Sequence, residues 1–175
     1  MLIKPTSLAG LYTIEIERKE DERGFFARSW SGEELAKHGL NAQLNQCSIS
    51  YNKKKNTLRG LHFQADPHGE VKIVRCTKGK IFDVAVDIRP SSPTYLKWHG
   101  VELSADNHIS FYIPAGFAHG FQTLSDDSEV YYMIGTPYVP EAARGLNYAD
   151  PKINIQWPLG KPAVINERDK GYSFL

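Results

Sequence analysis

The sequence lacks most of the features that mark a specialised class. It has only two cysteines, Cys47 and Cys76. That is too few for a disulfide framework, so free buried thiols are expected. No apolar run approaches the roughly 18 residues of a membrane helix. The opening "MLIKPTSLAG" has no apolar stretch of the signal-peptide kind. A cytosolic setting is the expectation. An excess of one charge is missing too: 21 basic and 20 acidic residues leave a net charge of +1. That argues against a nucleic-acid or membrane partner, but leaves room for a local anion site. No glycine-rich nucleotide fingerprint occurs, and no H-x-H pair suggests a metal site.

What is present is strand signal. "GLYTIEIER", "KIVRC", "KIFDVAVDI", "WHGVEL", "HISFYI" and "SEVYYMI" are short and separated by turn residues, at a spacing of roughly 8–12 residues. This predicts an all-β sandwich or barrel. One helix is expected at "SGEELAKHG", with Ser31 as cap, Glu34 at the third helical position and Gly39 as stop. With 175 residues and no linker, the chain reads as one domain, 1–175. "NKKKN" reads as a solvated turn, and "GYSFL" as an interface strand or a loose tail.

Two stretches carry chemistry. "RGLHFQADPHGEVKIV" holds His62, His68, Glu70 and Lys72 among apolar residues. A metal site and a proton-transfer site are both compatible with it. "IPAGFAHGF" places His119 three residues after Gly116, a spacing similar to the second half-motif of cupin barrels. The first half-motif of metal cupins is not matched, so the barrel is favoured over the metal.

The order and length of "DERGFFARSW", "LRGLHFQ", "KIVRCTKGKIFDVAVDIRPSSPTYLKWHGVELSADN", "IPAGFAHGF", "SEVYYMIGTPYVPEAARGLNYADPKINIQWP" and "INERDKG" resemble the dTDP-4-dehydrorhamnose 3,5-epimerase family almost end to end. The resemblance implies a cupin-like double-stranded β-helix, or jelly-roll, barrel with a few short helices. It implies C3 and C5 epimerisation of a nucleotide-linked 4-keto-6-deoxyhexose, with neither metal nor other cofactor. It also implies a homodimer in which N-terminal residues reach the neighbouring subunit's site.

Such a reaction needs a base, an oxyanion stabiliser and an acid across the sugar ring. The resemblance assigns His62 as base; alone, it reads rather as a satisfied core or pocket histidine. Asp169 is its orienter, although it could be a loop charge, and Asp150 is a rival that reads better as a turn cap. Lys72 would hold the enolate oxygen, or be a surface lysine, since alternation puts Glu70, Lys72 and Val74 on one side without saying which side is inner. Tyr132 rather than Tyr131 is the acid by family register. Arg59 and Arg23 suit the diphosphate. Phe26 would stack on the base and Gln46 read its edge, while His119 and Tyr138 would line the pocket.

Four departures from the family pattern bear on substrate choice. Arg28 stands where Glu is common. "QCS" replaces "QDN" after Leu44 and Asn45. Glu70 stands where Gln is common. "YYMIGTPY" and "NYADP" change the surroundings of the acid. A relative acting at one carbon, or on another nucleotide sugar such as a CDP-linked one, is the alternative. A metal cupin enzyme and a non-catalytic sugar binder are the competing classes.

Overall fold

The structure is a computed structural model that describes all 175 residues. Its strands in chain order are β1 (Leu2–Pro5), β2 (Tyr12–Glu15), β3 (Lys19–Asp21), β4 (Gly24–Phe26), β5 (Gln46–Asn52), β6 (Leu58–Gln64) and β7 (Lys72–Lys78). Then come β8 (Lys80–Asp87), β9 (Trp98–Ser104), β10 (Ser110–Ile113), β11 (Phe117–Thr123), β12 (Ser128–Ile134) and β13 (Ala143–Gly145). A six-stranded sheet runs β1-β2-β10-β7-β12-β5 and a five-stranded sheet β13-β6-β11-β8-β9. The strands β3 and β4 form a separate hairpin. Every ladder within the sheets is antiparallel. This is the two-sheet, cupin-like jelly roll that the short, evenly spaced strands imply.

Alternation along the strands explains the layers. In β7, Val74 and Cys76 point between the sheets and join Ile81, Ala85, Phe111, Phe121 and Val130 in the main core. Ile73 points outward, where Leu35 and Ile14 cover it. In β8, Val84 and Val86 turn outward against Leu146 and Ile153 from the chain after β13. Each sheet is therefore buried on both faces over part of its area, which is why several strands look continuously apolar.

The helix expected after Ser31 forms as α1 (Gly32–Lys37), and the Ser31 hydroxyl accepts from the Glu34 amide at 3.3 Å. Gly39 follows it with φ of 69°. A second helix, α2 (Glu167–Lys170), lies within the charged run "ERDK". No helix is long and apolar enough to cross a membrane. The cysteines correct one expectation: both are free, but only Cys76 is buried and Cys47 is exposed. Cys47 lies on β5, the edge strand of the six-stranded sheet, where most side chains are exposed.

The chain end is not loose: "GYSFL" forms no strand within this chain but is tied to it. Asn147 Nδ2 donates to the Tyr172 carbonyl at 2.6 Å, and the Leu175 amide donates to Asp150 Oδ2 at 2.7 Å. Asp150 also accepts from the Lys152 amide, the turn-capping role expected of it.

Candidate active site

Between the two sheets lies a cavity of about 450 Å³, lined by residues from both walls. One wall is the five-stranded sheet. There His62 on β6 stands directly across from His119 on β11. Directly paired residues in an antiparallel sheet share a face, so both histidines look the same way. The two strands come unusually close. A Cβ on Gly60 would lie 2.6 Å from Gly120 Cα, and one on Gly120 would lie 2.6 Å from the Arg59 carbonyl. Only glycine fits at either position. The ladder also shifts register between His119 and Phe121, a bulge that aims side chains next to a site.

The other wall is the six-stranded sheet. Ile134 is paired with both Lys72 and Gln46, and Tyr132 with Ser48. Tyr132 and Ile134 are two apart on one strand, so all five side chains face the cavity. This settles the inner side for Lys72, which is 8% exposed. The walls approach where the Tyr132 and His119 rings meet edge to face, with centroids 6.0 Å apart.

Asp169 reaches His62 from far along the chain. Its Oδ1 lies 2.7 Å from His62 Nε2, and its Oδ2 accepts from the Gly60 amide at 3.0 Å. The Asn166 side chain caps α2 by accepting from the Asp169 amide at 2.7 Å, which fixes the helix that carries the carboxylate. Asp169 is wholly buried. Burial alone would raise its pKa, but hydrogen bonds from His62 and the Gly60 amide outweigh that and hold it below the usual carboxylate value. With Nε2–H turned to the carboxylate, Nδ1 carries the ring's lone pair. The His62 side chain remains 40% exposed, on the cavity side.

His119 has its own carboxylate, Asp83, at 2.6 Å from Nε2. Both are buried, and Asp83 Oδ2 has no partner. Burial raises the Asp83 pKa against the opposing pull of His119. The Tyr132 phenol is pushed far up, first by burial and then by the Asp83 charge, with Arg59 acting the other way. The resting site thus keeps the phenol protonated. Lys72 Nζ makes an ion pair with Glu70 Oε1 at 2.7 Å.

The cavity therefore collects His62, Lys72, Tyr132, Gln46, Glu70, His119 and Tyr138, with Asp169 behind His62. Arg59 is not in its lining. It lies in a neighbouring hollow with Lys53 and Lys54, and donates to Asn52 Oδ1 at 2.7 Å. Arg23, Phe26 and Arg28 also stay outside. Arg23 pairs with Asp21 at 2.6 Å, and Arg28 with Glu34 at 3.1 Å. Phe26 and Arg28 line a separate small hollow beside Met1 and Glu17. No three His, Cys, Asp or Glu side chains cluster at metal-ligand spacing.

Sequence reasoning missed several neighbours. Asp83 had a readable signal: a carboxylate alternating inward between Ile81 and Ala85. Gln64 donates to the His68 and Pro137 carbonyls and accepts from the Val139 amide, stitching two loops beside the cavity. Arg144 and Arg168 stand in the lining. Tyr172 packs its ring where a Gly145 side chain would be, edge-on to His62 with centroids 6.2 Å apart.

The model of the dTDP-4-dehydrorhamnose 3,5-epimerase family matches residues 5–175. The chain belongs to that family. A dTDP-4-dehydrorhamnose 3,5-epimerase from Shigella flexneri is 42% identical over all of this chain and 97% of its own length. Solved structures of the family superpose closely. One from Bacillus anthracis, with TDP and PPi bound, has a TM-score of 0.95 at 34% identity, covering 99% of both chains. One from Legionella pneumophila, in complex with dTDP-4-keto-L-rhamnose, has a TM-score of 0.92 at 38% identity, covering 99% of this chain and 92% of the other.

Proposed function

We propose that this chain epimerises C3 and C5 of a nucleotide-linked 4-keto-6-deoxyhexose, converting dTDP-4-dehydro-6-deoxy-D-glucose to dTDP-4-dehydro-L-rhamnose. The observation that carries this is the placement of His62 and Tyr132 on opposite walls of one cavity. Inversion at carbon removes a proton from one face and returns one to the other, which is what two facing sheets can supply.

His62 Nδ1 takes the proton next to the ketone, and the buried Asp169 carboxylate stabilises the imidazolium that results. The electron pair moves onto the ketone oxygen, and Lys72 donates a hydrogen bond to the developing charge. Tyr132 then gives its proton to the opposite face of the same carbon. The imidazolium and the phenolate re-equilibrate with solvent, so solvent hydrogen ends on the product. A phenol held protonated by its surroundings is a weak acid, so the substrate's arrival must lower that barrier. The Arg59 charge already favours the phenolate, against burial and the Asp83 charge.

The diphosphate runs toward Arg59 and the hollow with Lys53 and Lys54. Gln46, Glu70, His119 and Tyr138 hold the sugar and the near part of the nucleotide. Arg23, Phe26 and Arg28 complete the nucleoside end in a neighbouring copy, which makes a homodimer the working form. Phe26 at 76% exposed and Ile49 at 64%, on edge strand β5, support such pairing. Residues 1–175 act as one unit, in the cytosol, where two free thiols stay reduced.

The test is incubation of dTDP-4-dehydro-6-deoxy-D-glucose with the protein in heavy water. Deuterium at C3 and C5 is the expected result. Deuterium at one carbon limits the chain to that carbon, and no exchange with any 4-keto nucleotide sugar removes the assignment. Light scattering of the eluting protein should return the mass of two chains.

A further inference from the structure

Glu70 is the one carboxylate that lines the cavity itself; Asp169 and Asp83 stand behind their histidines. Its Oε1 lies 2.7 Å from Lys72 Nζ, and each side chain is 11% exposed. No protein group donates to Glu70 Oε2, and it is not sealed from the cavity. Lys72 has three donor positions and only Glu70 as an anionic partner. The pair therefore presents a negative acceptor and a positive donor side by side, on the wall that carries Tyr132. A mostly enclosed pair of this kind costs desolvation unless its free valences are met.

Building on the epimerase assignment, we propose that Glu70 is a specificity-determining residue. It accepts a hydrogen bond from the hydroxyl on the carbon next to the ketone, while Lys72 donates to the ketone oxygen. The ligand class that fits is an α-hydroxy ketone, which carries one acceptor and one donor on adjacent carbons. In a 4-keto sugar the partner hydroxyl is the one on C3. A glutamine at this place would offer a neutral carbonyl acceptor and an N–H donor, and would leave the lysine charge unbalanced. Glu70 thus ties the oxyanion site to recognition of the neighbouring hydroxyl. A sugar without that hydroxyl leaves the carboxylate oxygen buried and unpaired, which a polar site rejects more strongly than a mere gap.

The test uses two nucleotide sugars, a 4-keto-6-deoxyhexose and its 3-deoxy counterpart. The readout is kcat/KM for deuterium entry at C5, which both share. Wild type should favour the hydroxylated sugar by roughly tenfold or more. Glu70→Ala should bring that ratio close to one, and Glu70→Gln should fall between. Loss of support for Lys72 would slow both sugars alike and leave the ratio untouched. An unchanged ratio in Glu70→Ala therefore overturns the proposal, as does a wild-type ratio of one. If Glu70→Ala does not fold, an unchanged ratio in Glu70→Gln overturns it equally. Absence of exchange by wild type with either sugar is a separate failure, that of the epimerase assignment itself, and this proposal falls with it.

Discussion

Two histidine–aspartate pairs stand side by side on the five-stranded wall, and they are built differently. In His62–Asp169 the carboxylate is fully satisfied, by the ring and by the Gly60 amide, while the ring opens to the cavity. In His119–Asp83 both residues are nearly closed off, the ring meeting the cavity at only 4% exposure, and one carboxylate oxygen has no partner. The same two residue types thus yield opposite electrostatics: the Asp169 pKa is lowered and the Asp83 pKa raised. The open pair is suited to exchanging a proton with a ligand. The closed pair is suited to holding a ring against Tyr132 and setting the field around it.

This contrast can be broken by separating rate from stability. His62→Ala should reduce deuterium exchange by about 10⁴-fold, to background, while the thermal midpoint stays near wild type. Full exchange in that variant would end its role as base. Asp169→Asn keeps the shape but removes the charge that stabilises the imidazolium, and should cost about 10³-fold in kcat. A loss confined to KM would show that the carboxylate acts on binding instead. On the closed side, His119→Ala leaves Asp83 buried and unpaired, and should destabilise the fold by about 3 kcal/mol in urea titrations. If its stability matched that of His62→Ala, the two pairs would not differ as described.

Tyr132→Phe should slow reprotonation by about 10²-fold with little change in nucleotide affinity, read by comparing product formation with calorimetric binding of dTDP. Turnover equal to wild type would take the acid role from it. The smallest effect is in pH dependence. Asp169 has a folded pKa below its ordinary 3.8, so its contribution to stability is present above that value and lost as pH falls through the folded one. Asp83 is displaced upward from 3.8, so its contribution is present below that value and lost as pH rises through the folded one. Midpoints of wild type, Asp169→Asn and Asp83→Asn between about pH 3 and 7 should therefore diverge in opposite directions. Differences of the same sign would contradict the contrast.

The open pair was only partly legible in the sequence, and the closed pair even less so. Regular strands with alternating or β-branched residues, such as "KIFDVAVDI", could be read directly, and so could α1 with its serine cap. Three-residue strands carry too little periodicity to be read, as in β3 and β13, and the seven-residue β5, "QCSISYN", is too polar to stand out. α2 is four residues long and was hidden in a charged run. The His62–Asp169 contact spans 107 positions, and no local pattern encodes such a distance; the family resemblance supplied it. Asp83 was passed over because its strand looked like plain core. The tail's contacts are illegible locally because Tyr172 finds its partners at Asn147 and Gly145, far from its own neighbours in the chain. Arg23, Phe26 and Arg28 are a different case: they lie away from the cavity of their own chain, and the resemblance has N-terminal residues reach a neighbouring subunit's site.

The long reach of Asp169 has a consequence for how the site is encoded. All thirteen strands precede Leu146, whereas the carboxylate that orients His62 arrives on α2. The strands that hold His62 and the carboxylate that orients it are encoded far apart. Loss of α2 would leave all thirteen strands in the chain but take from His62 its carboxylate partner and from the Gly60 amide its acceptor. The pairing of the strands and the completion of the base thus draw on separate stretches of the chain.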